Sequence, residues 1–215
     1  MKKLLSIVLT VVCIMASAQA WAAVAFKGQV LEASKTTDQL IVVTGTGGSK
    51  AGFVMYEKDG SGDWKQVIST KAYIGKKGLG KMKEGDWKTP AGVFHFTEAF
   101  GIADDPGCPI GYTRVDDTHY WCGDSNSPYY NRFVSTRDHD DFDKKQSEHI
   151  IDYKLAYPYV LNISYNEEGE PGRGSAIFLH CQTKNHYTAG CVAIPKKVMV
   201  DVMRRVKEDC VIVIR

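Results

Sequence analysis

A chain of 215 residues with 44% hydrophobic and 24% charged side chains can bury a core, and 27 Lys and Arg against 25 Asp and Glu leave a formal charge of only +2. Neither nucleic acid nor an anionic membrane is an expected partner, because both require a clustered cationic footprint that the sequence lacks. No internal repeat, low-complexity tract or Pro/Ser-rich linker divides the chain, so one main domain is expected.

At the N-terminus, Lys2 and Lys3 precede an apolar run from Leu4 to Ala18 and then the small-residue stretch ASAQAWAA. This pattern predicts a signal peptide over residues 1–22, with cleavage near 20 to 23. The run is too short and wrongly flanked to span a bilayer, so no membrane association is expected after cleavage. Cleavage removes Lys2, Lys3 and Cys13, leaving 25 basic against 25 acidic side chains and the five cysteines Cys108, Cys122, Cys181, Cys191 and Cys210. In an oxidising compartment, here expected to be a periplasm, with secretion or the cell wall as the alternative, an odd count implies two bridges and one thiol left over.

Strand-like runs rich in β-branched and aromatic residues follow at Gln39 to Thr44, Gly52 to Tyr56, Lys65 to Thr70 and Val93 to Thr97. Others occupy Tyr157 to Tyr165, Ala176 to Cys181 and Val211 to Ile214. One helix is expected late in the chain, opened by Pro195 and carrying Met199, Val202, Met203 and Val206 at helical spacing. The predicted fold class is therefore mostly β, with few helices, in one domain over residues 39–215.

Between about residues 101 and 147 the pattern dissolves into an irregular insert containing CPIGYTRVDDTHYWCGDSNSPYYNRF, expected to be a surface flap closed by a Cys108–Cys122 bridge. The acidic run RDHDDFD fails as a calcium loop, since Phe142 takes a ligand position and no Gly follows.

The stretch FLHCQTKNHYTAGCVAIP, residues 178–195, concentrates the chemistry. Strand alternation puts Ala176, Phe178 and His180 on one face and Ile177, Leu179 and Cys181 on the other. Cys181 thereby suits a bridge to Cys210, provided that the strands carrying them are neighbours. Gly190 removes bulk beside Cys191, so that backbone amides can approach a developing oxyanion. A nearby imidazole would activate the thiol, and His180 at a strand end is better fixed for this than His186 on a loop. Two other readings stand on these residues. His180, His186 and Cys191 could hold zinc, although they lack a close ligand pair and a fourth ligand. Alternatively, His180 is a satisfied strand-end histidine and Cys191 a small buried apolar residue.

The same residues resemble the YkuD-type L,D-transpeptidase catalytic-domain family, in which a strand histidine is followed by a loop and an [S/T]-x-G-C motif, here Thr188-Ala189-Gly190-Cys191. Upstream, KMKEGDWKTPAGVFHF is similar to the family's E-G-D-x-x-T-P-x-G-x-F segment through Glu84, Gly85, Asp86, Thr89, Pro90, Gly92 and Phe94. Tyr130-Asn131, the SEHI stretch holding His149, and Gly174 to His180 extend the resemblance. It implies a β-sandwich or mixed-sheet domain with the late helix packed on it, acting on peptidoglycan stem peptides without metal or organic cofactor. Cys191 would be the nucleophile, His180 the base, and the Gly190 and Cys191 amides the oxyanion site. Thr188, Ala189, His149, Tyr130 and Asn131 would contact substrate, and a carbapenem could add covalently to Cys191. Ala189 and Ala193 stand where many members are polar, and the His180-to-Cys191 loop is short. L,D-carboxypeptidase or amidase hydrolysis therefore remains beside transpeptidation, with a non-catalytic peptidoglycan-binding module as a third reading. The acceptor amine, the exact stem peptide and the oligomeric state are not legible.

Overall fold

The computed structural model describes residues 28, 30 and 32–215, so the expected signal segment lies outside the described residues. The first three strands, β1 (Gln39–Gly47), β2 (Lys50–Lys58) and β3 (Trp64–Tyr73), form an antiparallel meander. Their buried side chains alternate along β2, with Ala51, Phe53 and Met55 inward. After β3 the chain runs through an irregular segment to β4 (Gly92–Gly101) and the two-residue β5 (Thr113–Arg114). Three further strands, β9 (Val160–Ile163), β10 (Phe178–Cys181) and β11 (Val192–Ile194), precede the helix α1 (Lys196–Met203) and the final β12 (Val211–Ile214).

The strand order is β12-β1-β2-β3-β11-β10-β9-β4-β5, and an additional pairing of β12 with β4 closes the first eight into a ring. Val211–Ile214 runs parallel to Leu40–Val43 on one side and antiparallel to His95–Gly92 on the other. The sheet is thus a barrel-like β-sandwich, whose interior holds Ile41, Phe53, Leu161, Leu179, Val192 and Ile212. Helix α1 begins at Pro195, buries Met199, Val202 and Met203, and packs on β3 and β10, as its apolar spacing predicts. The predicted strand from Tyr157 is shorter than expected. Pro158 has no N–H for a ladder, and β9 starts only at Val160.

The segment predicted to be irregular carries β6 (His119–Trp121) and β7 (Phe133–Ser135), which join β8 (Glu148–His149), just past its end, in a second sheet of order β7-β6-β8. Its inner face is aromatic: Trp121 and Phe133 stack against Phe100, and Trp121 meets Phe178 edge-on. This second cluster, which includes Tyr157 and Cys191, is a wall between the small sheet and the outer face of β10.

The expected disulfides are not formed, and all five described cysteines are free thiols. For Cys108 and Cys122 the reason is separation into two packing units. Cys108 lies in the main core, whereas Cys122 is buried with Val134 and Phe142 under the small sheet. For Cys181 and Cys210 the condition of adjacency fails, because β9 and β4 stand between β10 and β12. Cys181 instead points its thiol at Tyr159 O, 3.8 Å away, and Cys210 at Val211 O, 4.0 Å away.

Candidate active site

Strand β10 presents its residues to two environments, as alternation requires. Leu179 and Cys181 belong to the main core, while Phe178 faces the aromatic wall and His180 lines a cavity of ≈ 730 Å³. Strand β11 runs parallel beside it, pairing Leu179 with Val192 and His180 with Ala193, so Cys191 arrives just ahead of the ladder, next to Phe178. Cys191 and His180 therefore share the cavity, together with Glu148, Tyr157, Lys81 and Glu84.

The turn before Cys191 is held by two hydroxyls. Thr188 Oγ1 accepts the Gly190 amide at 3.1 Å and donates to Cys191 O at 2.7 Å. Thr89, from the upstream motif, also donates to Cys191 O, at 3.3 Å, and accepts the Gly75 amide at 2.8 Å. The two sequence motifs thus meet under Cys191. Their approach requires glycine: a Cβ on Gly75 would lie 2.5 Å from Trp87 O, and one on Gly190 would lie 3.0 Å from Lys88 O.

The thiol itself is fixed from above. Cys191 Sγ donates to Ala176 O at 3.2 Å and accepts from the Phe178 amide at 3.3 Å. Ala176 has φ 53, a left-handed conformation that is costly for alanine, and its amide is held by Asn131 Oδ1 at 3.0 Å. The same oxygen takes Trp121 Nε1, while Asn131 Nδ2 donates to Tyr165 O and Asn166 O. Asn131 therefore braces, through its amide, the residue whose carbonyl holds the thiol.

Burial pushes the Cys191 thiol up to about 12, the Glu148 charge pushes in the same direction, and the Phe178 amide and Lys81 ammonium oppose them. Burial lowers His180 to about 4. His180 Nδ1 lies 2.9 Å from Cys181 O, which can only accept, so Nδ1 carries the proton and Nε2 keeps a lone pair. The pair rests as neutral thiol and neutral imidazole, with the thiol hydrogen-bonded to Ala176 rather than to the histidine. Such geometry is common before substrate binds and tightens in the reacting complex.

Other predicted contact residues occupy different places. Tyr130 is buried and donates to Glu84 Oε2 at 2.9 Å. His149 bonds Asp152 and Asp117 O and stacks on Tyr120, and β8 alternation turns it away from Glu148. Ala189 lines the cavity, as does Ala193. His186, the rival base, stacks on Tyr73 with ring centroids 5.0 Å apart. Among the described residues no group of three or more His, Cys, Asp or Glu could hold a metal ion.

Glu148 and Tyr157 were not expected at the site. Tyr157 donates to Glu148 Oε2 at 2.6 Å and meets the His180 ring edge-on. Burial raises the Glu148 carboxyl to about 7, with the Tyr157 hydrogen bond opposing and the Glu84 charge adding. A carboxyl raised in this way contributes stability that is fully present below its ordinary 4.5 and lost as pH rises through about 7. Glu148→Gln is therefore expected to raise the melting temperature relative to the native chain at pH 8 and to leave it unchanged at pH 4. The substitution should also speed iodoacetamide labelling of Cys191 at pH 8, because it removes the charge that disfavours the thiolate. Equal labelling rates at that pH would show that Glu148 does not act on the sulfur.

The family model of the YkuD L,D-transpeptidase catalytic domain matches residues 29–214. Similar solved structures include the helical cell shape determining protein Pgp2 from Campylobacter jejuni, at 16% identity and a TM-score of 0.42, covering 82% of this chain and 47% of that one. An Enterococcus faecium L,D-transpeptidase C442S mutant is 15% identical at a TM-score of 0.38, with 83% of this chain and 50% of that one covered. An L,D-transpeptidase from Mycobacterium smegmatis is 10% identical at 0.36, with 83% and 58% covered. The chain spans about half the length of these structures. No curated protein matches the sequence.

Proposed function

Because the chain belongs to the YkuD family of L,D-transpeptidase catalytic domains, we propose that it modifies peptidoglycan by acyl transfer through Cys191, as an L,D-transpeptidase acting on stem peptides. The observation that most supports this reading is the convergence of Cys191 and His180 on one cavity from adjacent parallel strands. In the reaction, the Cys191 thiol gives its proton to His180 Nε2 as the sulfur attacks a stem-peptide carbonyl carbon. The imidazolium, held in orientation by its Nδ1 bond to Cys181 O, then protonates the departing amine. An incoming amine attacks the thioester, loses a proton to His180, and restores the thiol.

Hydrolysis as an L,D-carboxypeptidase or amidase is the second reading. Ala189 and Ala193 support it, since they line the cavity with no polar group where an acceptor peptide would be held. Thr188 and Asn131 serve in this account as supports of the turn and the thiol carbonyl, and the Cys191 amide, which lies against its own sulfur, is the backbone donor beside the reacting carbon. The reading includes export to the periplasm, where the substrate lies, and covalent capture of a carbapenem at Cys191. Incubation of the protein with disaccharide-tetrapeptide muropeptides, followed by mass spectrometry, tests it. Cross-linked dimers are expected. Stems shortened by one residue would select the hydrolase, and unchanged masses would leave a binding module.

A further inference from the structure

Lysine is seldom fully buried, yet the Lys81 side chain is 2% exposed and lines the cavity of Cys191. It lies in a slot left by the absent side chain of Gly174, where a Cβ would sit 2.4 Å from Lys81 Cε and 3.2 Å from Nζ, and its ammonium lies 3.7 Å from where a Cβ on Gly190 would be. The ammonium donates to Asp86 Oδ1 at 3.1 Å and to Lys83 O at 3.2 Å. Of its three N–H groups, the third finds no hydrogen-bond acceptor among the described residues.

An anchoring role for the upstream loop does not account for this arrangement. Asp86 already accepts the amides of Met82, Lys83 and Lys88, which, with Lys81, hold its carboxyl at about 2 against the opposing effect of burial. The anion is satisfied by backbone alone, and burying a cation beside it adds a desolvation cost. At the same time the Gly190 amide, one of the two expected oxyanion donors beside that of Cys191, is consumed by Thr188 Oγ1. One donor of the pair is therefore missing in a cavity that also holds a buried cation with a spare N–H.

We propose that Lys81 is the cationic donor that receives the oxyanion formed when Cys191 attacks a carbonyl. This assignment rests on the acyl-transfer reading above. As the sulfur–carbon bond forms, the C=O π pair moves to oxygen and the Lys81 N–H hydrogen-bonds the resulting alkoxide. As the pair returns, the carbon–nitrogen bond breaks and the amine leaves with the proton from His180. Lys81 donates this hydrogen bond without transferring its proton.

The test compares two reactions of the same sulfur. Acetylation by p-nitrophenyl acetate passes through an oxyanion, whereas alkylation by iodoacetamide does not, and mass spectrometry of the Cys191 peptide reads both rates. Lys81→Met is expected to slow acetylation about 100-fold, the usual effect of losing one oxyanion donor, and to slow alkylation at least tenfold less than that (an order-of-magnitude margin, about 1.4 kcal/mol). Should Lys81→Met fail to fold, Lys81→Gln, a shorter and uncharged donor, is expected to slow acetylation more than alkylation, by a smaller factor. Equal slowing of both reactions, or of neither, would overturn the assignment while leaving acyl transfer intact. A native chain that is alkylated at Cys191 but never acetylated would remove the acyl-transfer reading and the Lys81 assignment together.

Discussion

Cys191→Ala is expected to abolish turnover of muropeptides while the chain remains folded. Among the described residues Cys191 is the only thiol lining the cavity, so the loss should be complete to the detection limit rather than partial. Stability should fall by about 1–3 kcal/mol, because the Phe178 amide and Ala176 carbonyl lose their shared sulfur partner in a buried place. Cys191→Ser keeps both partners and should be nearly as stable as the native chain, yet nearly inactive. Product masses from muropeptides and urea unfolding curves check both halves. Turnover by Cys191→Ala above about 1% of the native rate would place the nucleophile elsewhere, since removing an essential nucleophile costs about 10⁶-fold.

His180→Gln should reduce the same turnover by about 10²–10⁴-fold, the range for loss of a positioned acid–base group. His186→Ala should change it by less than about threefold, because a side chain stacked outside the cavity contributes little to placement. A larger loss for His186→Ala would show that the base is misassigned. His180→Gln also carries a stability signature. Burial depresses His180 to about 4 from its ordinary 6.5, so its contribution is present above 6.5 and lost as pH falls through about 4. The variant should therefore unfold less readily than the native chain on acidification across that window, as thermal melts between pH 7 and pH 4 would reveal.

Much of this site was legible from local pattern. Alternation in FLHC correctly sent His180 and Cys181 to different environments, because a strand with distinct packing on its two faces leaves no other register. The late helix was equally plain from Met199, Val202 and Met203. Strand β11 was not, since three residues are too few to show a period, and the small sheet suffered likewise from strands of two and three residues. Asn131 is a polar residue of the kind that binds substrate or braces backbone, and only its four internal hydrogen bonds separate the two roles. Glu148 and Lys81 were missed because their meaning depends on a cavity assembled from distant segments. The cysteine arithmetic failed for a related reason: pairing requires neighbouring strands, and adjacency belongs to the topology rather than to spacing.

Closure of the ring by β12 has a kinetic side. Val211–Ile214 must find Leu40–Val43 across most of the sequence before either β1 or β4 has a partner on that flank. Contacts of such long sequence separation form late and slow the search for the native state. Until they form, two strands expose unpaired amides and carbonyls that can recruit another chain. Strand β12 thus acts as a latch, and the interval before it engages leaves β1 and β4 open to self-association.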